Sequence, residues 1–484
     1  MCHTSPCPLH RPLFLAAAAS LLMLLAAPHV PAVLPEIPRG VAVINTVDGE
    51  AFEPEILGNP DVDVISLFDP WTTIQPDPET YDWSYLNKSL AKIQNAGKSA
   101  LLRIGSMGGS QSLGGNTPDW VFQAMAVDPA SILATPGTTY SFIGNDGIIR
   151  CIPVFWQPVY LAKKKALIAM AGAELAGKSA LKVFVVSFAN CLTEDWNVPH
   201  DDKILPSQVD LWQNAPDDPL LPGAGYTTQK MVDAAIHYGD ATFNDGSVGG
   251  TTLTSLSATF TQADIGCVIS GETFQSDTHI SAWISPTQVT LDKPLLQGRG
   301  RKFRVLDRPD GLIDVAMAAF PNQYISVAVG GNGPTLDDPP GEQDAKTYLA
   351  RTVDELAQTR YPGRYIVQRN NVSTAIPPKG EATEVWVLLA KAADSGNFTA
   401  GQALTICWGN VNYKMNSGDN CDHDANCRPV DGMCEGDCAL YYDQILQRSA
   451  DHLLTYSPSY YEIYPVDARN LPTIVTYIHN LLNP

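Results

Sequence analysis

Eight short runs of apolar and β-branched residues, separated for the most part by stretches with apolar residues three or four apart, constrain this chain more than any other feature. The runs fall near Gly40–Asn45, Val62–Phe68, Ala100–Ile104, Lys182–Phe188, Gln323–Val329, Arg364–Gln368, Ala403–Trp408 and Tyr460–Tyr464. Helical periodicity marks Tyr85–Ala96, Leu161–Ala176, Thr228–Ile236, Asp344–Thr359, Glu384–Ala393, Tyr441–Leu454 and Leu471–Leu482, as in the spacing of Leu446, Ala450, Leu453 and Leu454. Strands that are apolar throughout and alternate with helices belong to a parallel sheet covered on both faces. Eight such strands close a barrel, so the expected fold is α/β, a (β/α)8 TIM barrel. Only the first crossover, near Glu53–Gly58, is too short for a full helix.

One stretch departs from the alternation. From about Asp240 to Arg308 the chain turns to Thr, Val, Ile and Ser with frequent Gly, as in TTLTSLSATFTQADIGCVISG and HISAWISPTQVTLDKPLL. That composition predicts short antiparallel strands. Helical sequence stops at Ile236 and resumes over Gly311–Phe320, which makes the stretch an insertion into the fourth crossover. Sugar binding and a plain spacer are both open as its use.

At the N-terminus, Arg11 precedes the apolar run Leu13–Ala27 and the small residues Val30-Pro31-Ala32, the order of a secretory signal. A membrane anchor is the alternative, but the run of about 15 apolar residues is short of the roughly 20 that span a bilayer. The expected organisation is a signal peptide over 1–32, a first barrel part over 33–239, a β-rich module over 240–308 and a second barrel part over 309–484. The expected mature protein is soluble, without a membrane span, and secreted, periplasmic or at the cell surface.

A formal charge of −20 argues against nucleic acid and anionic membranes as partners and is neutral about sugars. Of the ten cysteines, Cys2 and Cys7 lie in the signal. The remaining eight make disulfides an expectation for an exported chain, five of them between Cys407 and Cys438. The spacing in CDHDANCRPVDGMCEGDC lacks the paired CxxC of a zinc site, so a loop stapled by two bridges is expected there. Calcium held by Asp419, Asp422, Asp424 and Asp431 is the alternative, although the segment lacks a calcium-loop spacing. No metal or other cofactor is assigned.

A barrel of this kind carries its chemistry at the C-terminal ends of its strands. Those positions are rich in carboxylates, amides and Trp. Asp48 and Glu50 follow strand one, Asp69 and Trp71 strand two, and Arg103 ends strand three. Asn190, Glu194, Asp195 and Trp196 follow strand four, and Asn332 and Asp337 strand five. Gln368, Arg369 and Asn370 end strand six, Trp408 and Asn410 close strand seven, and Glu462 lies in strand eight with Asp467 just past it. Cleaving a glycosidic bond needs a proton donor and a second carboxylate facing it, with flat aromatic surfaces for sugar faces and amides for hydroxyls. All of these residue types are present.

The passage FDPWTTIQPDPETYDWSYLNKSLAKIQNAGKSALLRIGSMGG, followed by TPDWVF, resembles the strand-two-to-three stretch of clan A glycoside hydrolases, the β-galactosidase-like barrels in particular. The motif runs from Asp69 to Phe122, and with the eight strands the resemblance covers most of the chain outside the signal and the insertion. It implies an acid/base Glu directly after an Asn at the end of strand four, and a nucleophile Glu ending strand seven. Here Asn190 is followed by Cys191-Leu192-Thr193 and then Glu194, and strand seven, read as ALTICWGN, holds no carboxylate. The candidate catalytic pair is therefore Glu194 as acid/base and Glu462 as second carboxylate by location alone. The candidate substrate-binding residues are Asp69, Trp71, Arg103, Asn190, Trp196, Asn332, Gln368, Trp408 and Asn410.

Each candidate has a structural alternative. Glu194 could cap a helix, Glu462 could pair with Arg103 as a structural ion pair, and Trp71, Trp156 and Trp408 could be packing. The chain has no G-x-S-x-G elbow, P-loop or H-E-x-x-H helix. Two expectations remain: a retaining glycoside hydrolase acting on an oligo- or polysaccharide, and a non-catalytic carbohydrate-binding or surface protein that has lost the strand-seven nucleophile.

Overall fold

The computed structural model describes residues 34–45, 49–106, 116–127, 139–143, 149–154, 156–186, 234–236, 240–242, 249–296 except 257, 259, 272, 276 and 277, 302–305, 310–329, 353–372 except 355, 379–381, 386–403, 428–430, 433–435 and 442–483. Eight strands form a closed parallel barrel: β1 (Gly40–Ile44), β2 (Val64–Pro70), β3 (Ser99–Gly105), β4 (Leu181–Val185), β5 (Tyr324–Val329), β6 (Tyr365–Val372), β7 (Phe398–Ala403) and β8 (Pro458–Ile463). Each strand pairs with its sequence neighbours, and β8 closes on β1 with Gly40 opposite Tyr460 and Ala42 opposite Glu462. The expected (β/α)8 class is the observed one.

Seven helices of eight residues or more accompany the barrel among the described residues: α1 (Ser84–Asn95), α2 (Asp119–Ala126), α3 (Pro158–Leu175), α4 (Leu312–Ala319), α5 (Trp386–Asp394), α6 (Tyr442–Leu454) and α7 (Pro472–Leu482). The sequence placed all but α2 and set most boundaries within a few residues. The periodic residues Leu86, Leu90 and Ile93 of α1 are buried in the outer core, as are Leu446, Ala450 and Leu453 of α6. The start of α3 is fixed by Pro158 in its first turn and by the Gln157 side chain, which accepts a bond from the Tyr160 amide at 3.0 Å. The first crossover holds only a single turn, Pro54–Leu57.

Strand seven was expected at Ala403–Trp408 and lies instead at Phe398–Ala403. Its sequence, FTAGQA, carries little β-branched signal, which the following Leu404-Thr-Ile-Cys supplies. The strand is recruited by barrel closure between β6 and β8, where small residues suit a close wall.

Between β4 and β5 lies a six-stranded antiparallel sheet, ordered in space as Asp240–Thr242, Lys302–Val305, Val268–Ser270, Thr278–Ser285, Gln288–Leu291 and Thr252–Thr254. It has its own apolar core, in which Phe260 stacks on Phe303 and packs with Leu253, Ile269, Phe274, Ile280, Val289 and Leu291. The chain returns from the sheet close to where it left: a β-carbon at Gly311 would stand 2.5 Å from the Ala235 carbonyl oxygen and 2.6 Å from Ile236 backbone atoms. The antiparallel strands expected from the Thr- and Ser-rich stretch are therefore present. Antiparallel pairs at Thr139–Ile143 with Ile149–Pro153, and at Arg428–Val430 with Met433–Glu435, were not foreseen. The proposed signal, 1–32, lies outside the described residues. Among the described residues no helix is long and apolar enough to cross a membrane.

Candidate active site at the C-terminal end of the barrel

Alternation along the strands divides the wall into two faces. Ile65 and Leu67 of β2, Leu102 and Ile104 of β3, Val367 of β6 and Ile463 of β8 join the core shared with the helices. Ala42, Val64, Leu101, Val183, Val185, Tyr324, Ile366, Ala400 and Tyr460 form a separate core inside the barrel. Two residues further along, the inward positions change character to Ser66, Arg103, Gln368, Gln402 and Glu462, all buried and all polar. The N-terminal half of the barrel is thus filled with hydrocarbon, and a polar floor lies above it on the side where barrel enzymes react.

The floor is one connected network. Arg103 donates to both oxygens of Glu462, from Nη1 to Oε1 at 2.9 Å and from Nη2 to Oε2 at 2.6 Å. The same guanidinium reaches the Ser66 hydroxyl. Gln368 Nε2 donates to Glu462 Oε2 at 2.7 Å and to Asn370 Oδ1 at 3.0 Å, and its own Oε1 accepts from the Tyr460 hydroxyl at 2.8 Å. Burial, and then the negative charge of Glu462, push the Tyr460 phenol well above its usual range, so it serves as a donor. The bidentate geometry makes this a strong pair and spends both carboxylate oxygens.

Three sequence candidates, Arg103, Gln368 and Glu462, are therefore brought together by three different strands. Their arrangement corrects one part of the expectation for Glu462: it does not stand free to face a proton donor but is fully buried and already engaged by Arg103 and Gln368. Trp71 is corrected too. It is completely buried outside the barrel, edge-on to Trp120 and Tyr160 at centroid distances of 6.1 and 6.0 Å, with its indole N–H bonded to Gln75 at 2.9 Å. No face of it is open to a sugar, so its role in this arrangement is packing. Arg369 points away from the floor and pairs with Asp354 at 2.7 Å.

Asp69, the second residue of FDPW, is only 3 % exposed. Desolvation, with a smaller contribution from the nearby charge of Asp82, pushes its carboxyl up to about 7. Among the described residues its Oδ2 has no hydrogen-bond partner. Asn190, Glu194, Trp196, Asn332, Trp408 and Asn410 lie outside the described residues, as do Asp48 and Asp337. Cys191, Cys407, Cys421, Cys427 and Cys438 do too, and with them the expected stapled loop and its calcium alternative.

Sequence reasoning missed Ser66, Tyr460 and Gln402. The signal that finds Ser66 and Gln402 is a period of two applied to each strand end: Val64-x-Ser66 and Ala400-x-Gln402 step from apolar to polar on the inward face, as Tyr460-x-Glu462 does.

No protein-family profile matches the chain, and no curated protein does. Among solved structures, the catalytic domain of a β-amylase from Paenibacillus polymyxa aligns over 94 % of this chain and 100 % of its own, at 11 % identity and a TM-score of 0.49. A xylanase from Cellvibrio japonicus in complex with xylopentaose aligns over 89 % of this chain and 58 % of its own, at 9 % identity and a TM-score of 0.39. A β-galactosidase from the psychrophilic Marinomonas ef1 does so over 91 % and 59 %, at 10 % identity and 0.35. At such identities and scores the likeness says nothing of chemistry; the protein is a closed (β/α)8 barrel whose solved look-alikes include glycoside hydrolases.

Proposed function

We propose that the protein is an exported glycoside hydrolase that cleaves O-glycosidic bonds at the C-terminal mouth of its barrel by a two-carboxylate mechanism. The observation that carries this reading is the polar floor: one acid, one guanidinium and several amides and hydroxyls, concentrated at the face where barrel enzymes place their sites. Amides and hydroxyls are the groups that bind sugar hydroxyls. In this reading Glu194 donates the proton to the leaving oxygen and Glu462 is the second carboxylate, held by Arg103 and aimed by Gln368.

A specific observation favours a second reading, a barrel that binds carbohydrate without cleaving it. Glu462 has both oxygens occupied and no exposed surface, and the inward residue at the end of β7 is the amide Gln402 rather than an acid. To act, Glu462 must first be released from Arg103.

The two readings separate in one experiment. The protein and its Glu194→Gln and Glu462→Gln variants are assayed on a panel of nitrophenyl glycosides and polysaccharides. Turnover that falls at least about a thousandfold in both variants supports the pair. Turnover lost only in Glu194→Gln leaves Glu462 as a counter-ion to Arg103. No turnover with retained sugar binding supports the non-catalytic barrel.

A further inference from the structure

Gln402 differs from every other polar side chain of the floor. It lies on the inward face of β7, two residues beyond Ala400 of the inner core and opposite Glu462 on β8. Only 7 % of it is exposed, yet among the described residues its carboxamide makes no hydrogen bond, while the neighbouring amide of Gln368 is bonded at both ends. A nearly buried amide without a partner among the described residues has donors and acceptors to offer to something else. The charge of the floor is equally informative. Arg103 and Glu462 are the only ionisable groups of the carboxylate or guanidinium kind on the inward face of the eight strands among the described residues, and they cancel each other at 2.6 Å. An anion entering the mouth finds no free cation there among the described residues, and it enters a protein of formal charge −20.

We infer that the Gln402 carboxamide is a ligand-recognition group on the barrel floor, and that the ligand it meets is an uncharged, hydroxyl-bearing saccharide rather than an acidic one. The inference rests on the carbohydrate reading but not on cleavage. The carboxamide presents one acceptor and two donors, a match for adjacent hydroxyls that each give and take a hydrogen bond. The Arg103–Glu462 pair keeps the floor polar while leaving, among the described residues, no net charge to attract a uronate.

The test is calorimetric titration of the protein, Gln402→Met and Gln402→Asn with neutral gluco-, xylo- and galacto-oligosaccharides and with oligogalacturonate. Met keeps the volume and removes the amide; Asn keeps the amide, so a poorly folding Met variant still leaves a measurable comparison, and thermal melts verify folding. The expected result is binding of at least one neutral oligosaccharide that weakens about tenfold or more in Gln402→Met, with Gln402→Asn retaining part of it. Unchanged affinity in Gln402→Met, or binding confined to oligogalacturonate, overturns the inference, as does the absence of any oligosaccharide binding. Because titration does not depend on turnover, a protein that binds through Gln402 and hydrolyses nothing refutes the enzyme reading and leaves this one standing.

Discussion

Replacing Asp69 with Asn should stabilise the protein, and by an amount that grows with pH. The carboxyl is 3 % exposed and burial pushes it up from 3.8 to about 7. A folded-state value above the unfolded one means the native state resists ionisation. Between pH 3.8 and 7 the unfolded chain has released this proton while the folded one still holds it, so stability falls as pH rises through that window and levels off above it. Each tenfold difference in proton affinity between the folded and unfolded chain amounts to about 1.36 kcal/mol. The penalty is therefore close to zero at pH 3, about 1.7 kcal/mol at pH 5 and about 4 kcal/mol above pH 8. Asn has no such titration. It brings a pH-independent offset from its own buried amide, so the informative quantity is the change in the difference between the two proteins. Urea unfolding of both from pH 5 to 9, followed by intrinsic fluorescence, should show Asp69→Asn gaining about 2 to 3 kcal/mol relative to the parent across that range. Carboxyl carbon-13 NMR should place the Asp69 midpoint near 7. A stability difference that stays flat, or a midpoint near 4, would mean that Asp69 is solvated or paired in solution and would refute the argument from burial.

Three further outcomes follow from packing and charge. Glu462→Leu and Arg103→Met should each cost about 3 to 5 kcal/mol because each strands a buried partner, while the double variant should recover most of that loss; additive losses in the double-mutant cycle would show the pair to be uncoupled. Gly172→Ala puts a β-carbon 2.6 Å from that of Ala319 and onto its backbone where α3 meets α4, so a loss of about 1 to 3 kcal/mol should outweigh the roughly 1 kcal/mol of improved helix propensity; a stabilised variant would mean the two helices are free to separate. Replacing 240–308 with a short Gly-Ser bridge should leave a barrel that melts cooperatively, because the chain ends at Ile236 and Gly311 already touch and the excised sheet has its own core; loss of the cooperative transition in a calorimetric scan would make the sheet part of the barrel's foundation.

What was legible in the sequence, and what was not, divides along a physical line. The strands read correctly were those whose both faces are largely apolar, such as LKVFV of β4, where burial on two sides leaves its mark on every residue but Lys182. FTAGQA of β7 was misplaced because its stability comes from its neighbours rather than its own propensity. The helices were legible for the opposite reason: one buried stripe, as in Leu86, Leu90 and Ile93, imposes a period the eye can follow. The pairing of Arg103 with Glu462 was foreseen as an alternative because both sit on inward barrel positions, and 359 residues of separation are erased when β8 closes on β1. Packing was likewise foreseen as an alternative for Trp71, but the choice was not legible, because FDPW names a strand end without saying that Trp120 and Tyr160 will close over it.

The same division explains why the site was read as more open than it is. Residue type at a strand end reports that polar chemistry is near, whereas accessibility depends on which groups satisfy one another, and that is a property of pairs. Glu462 and Gln402 occupy facing positions on adjacent strands and differ by a single amide-for-acid exchange, yet the acid is consumed by Arg103 and Gln368 while the amide bonds to no described residue. Among the described residues of the floor the charges cancel internally, and the group left to meet a ligand is the neutral one. The carboxylate that drew attention in the sequence is held by Arg103 and Gln368, and a two-carboxylate mechanism requires its release from them before it meets a substrate.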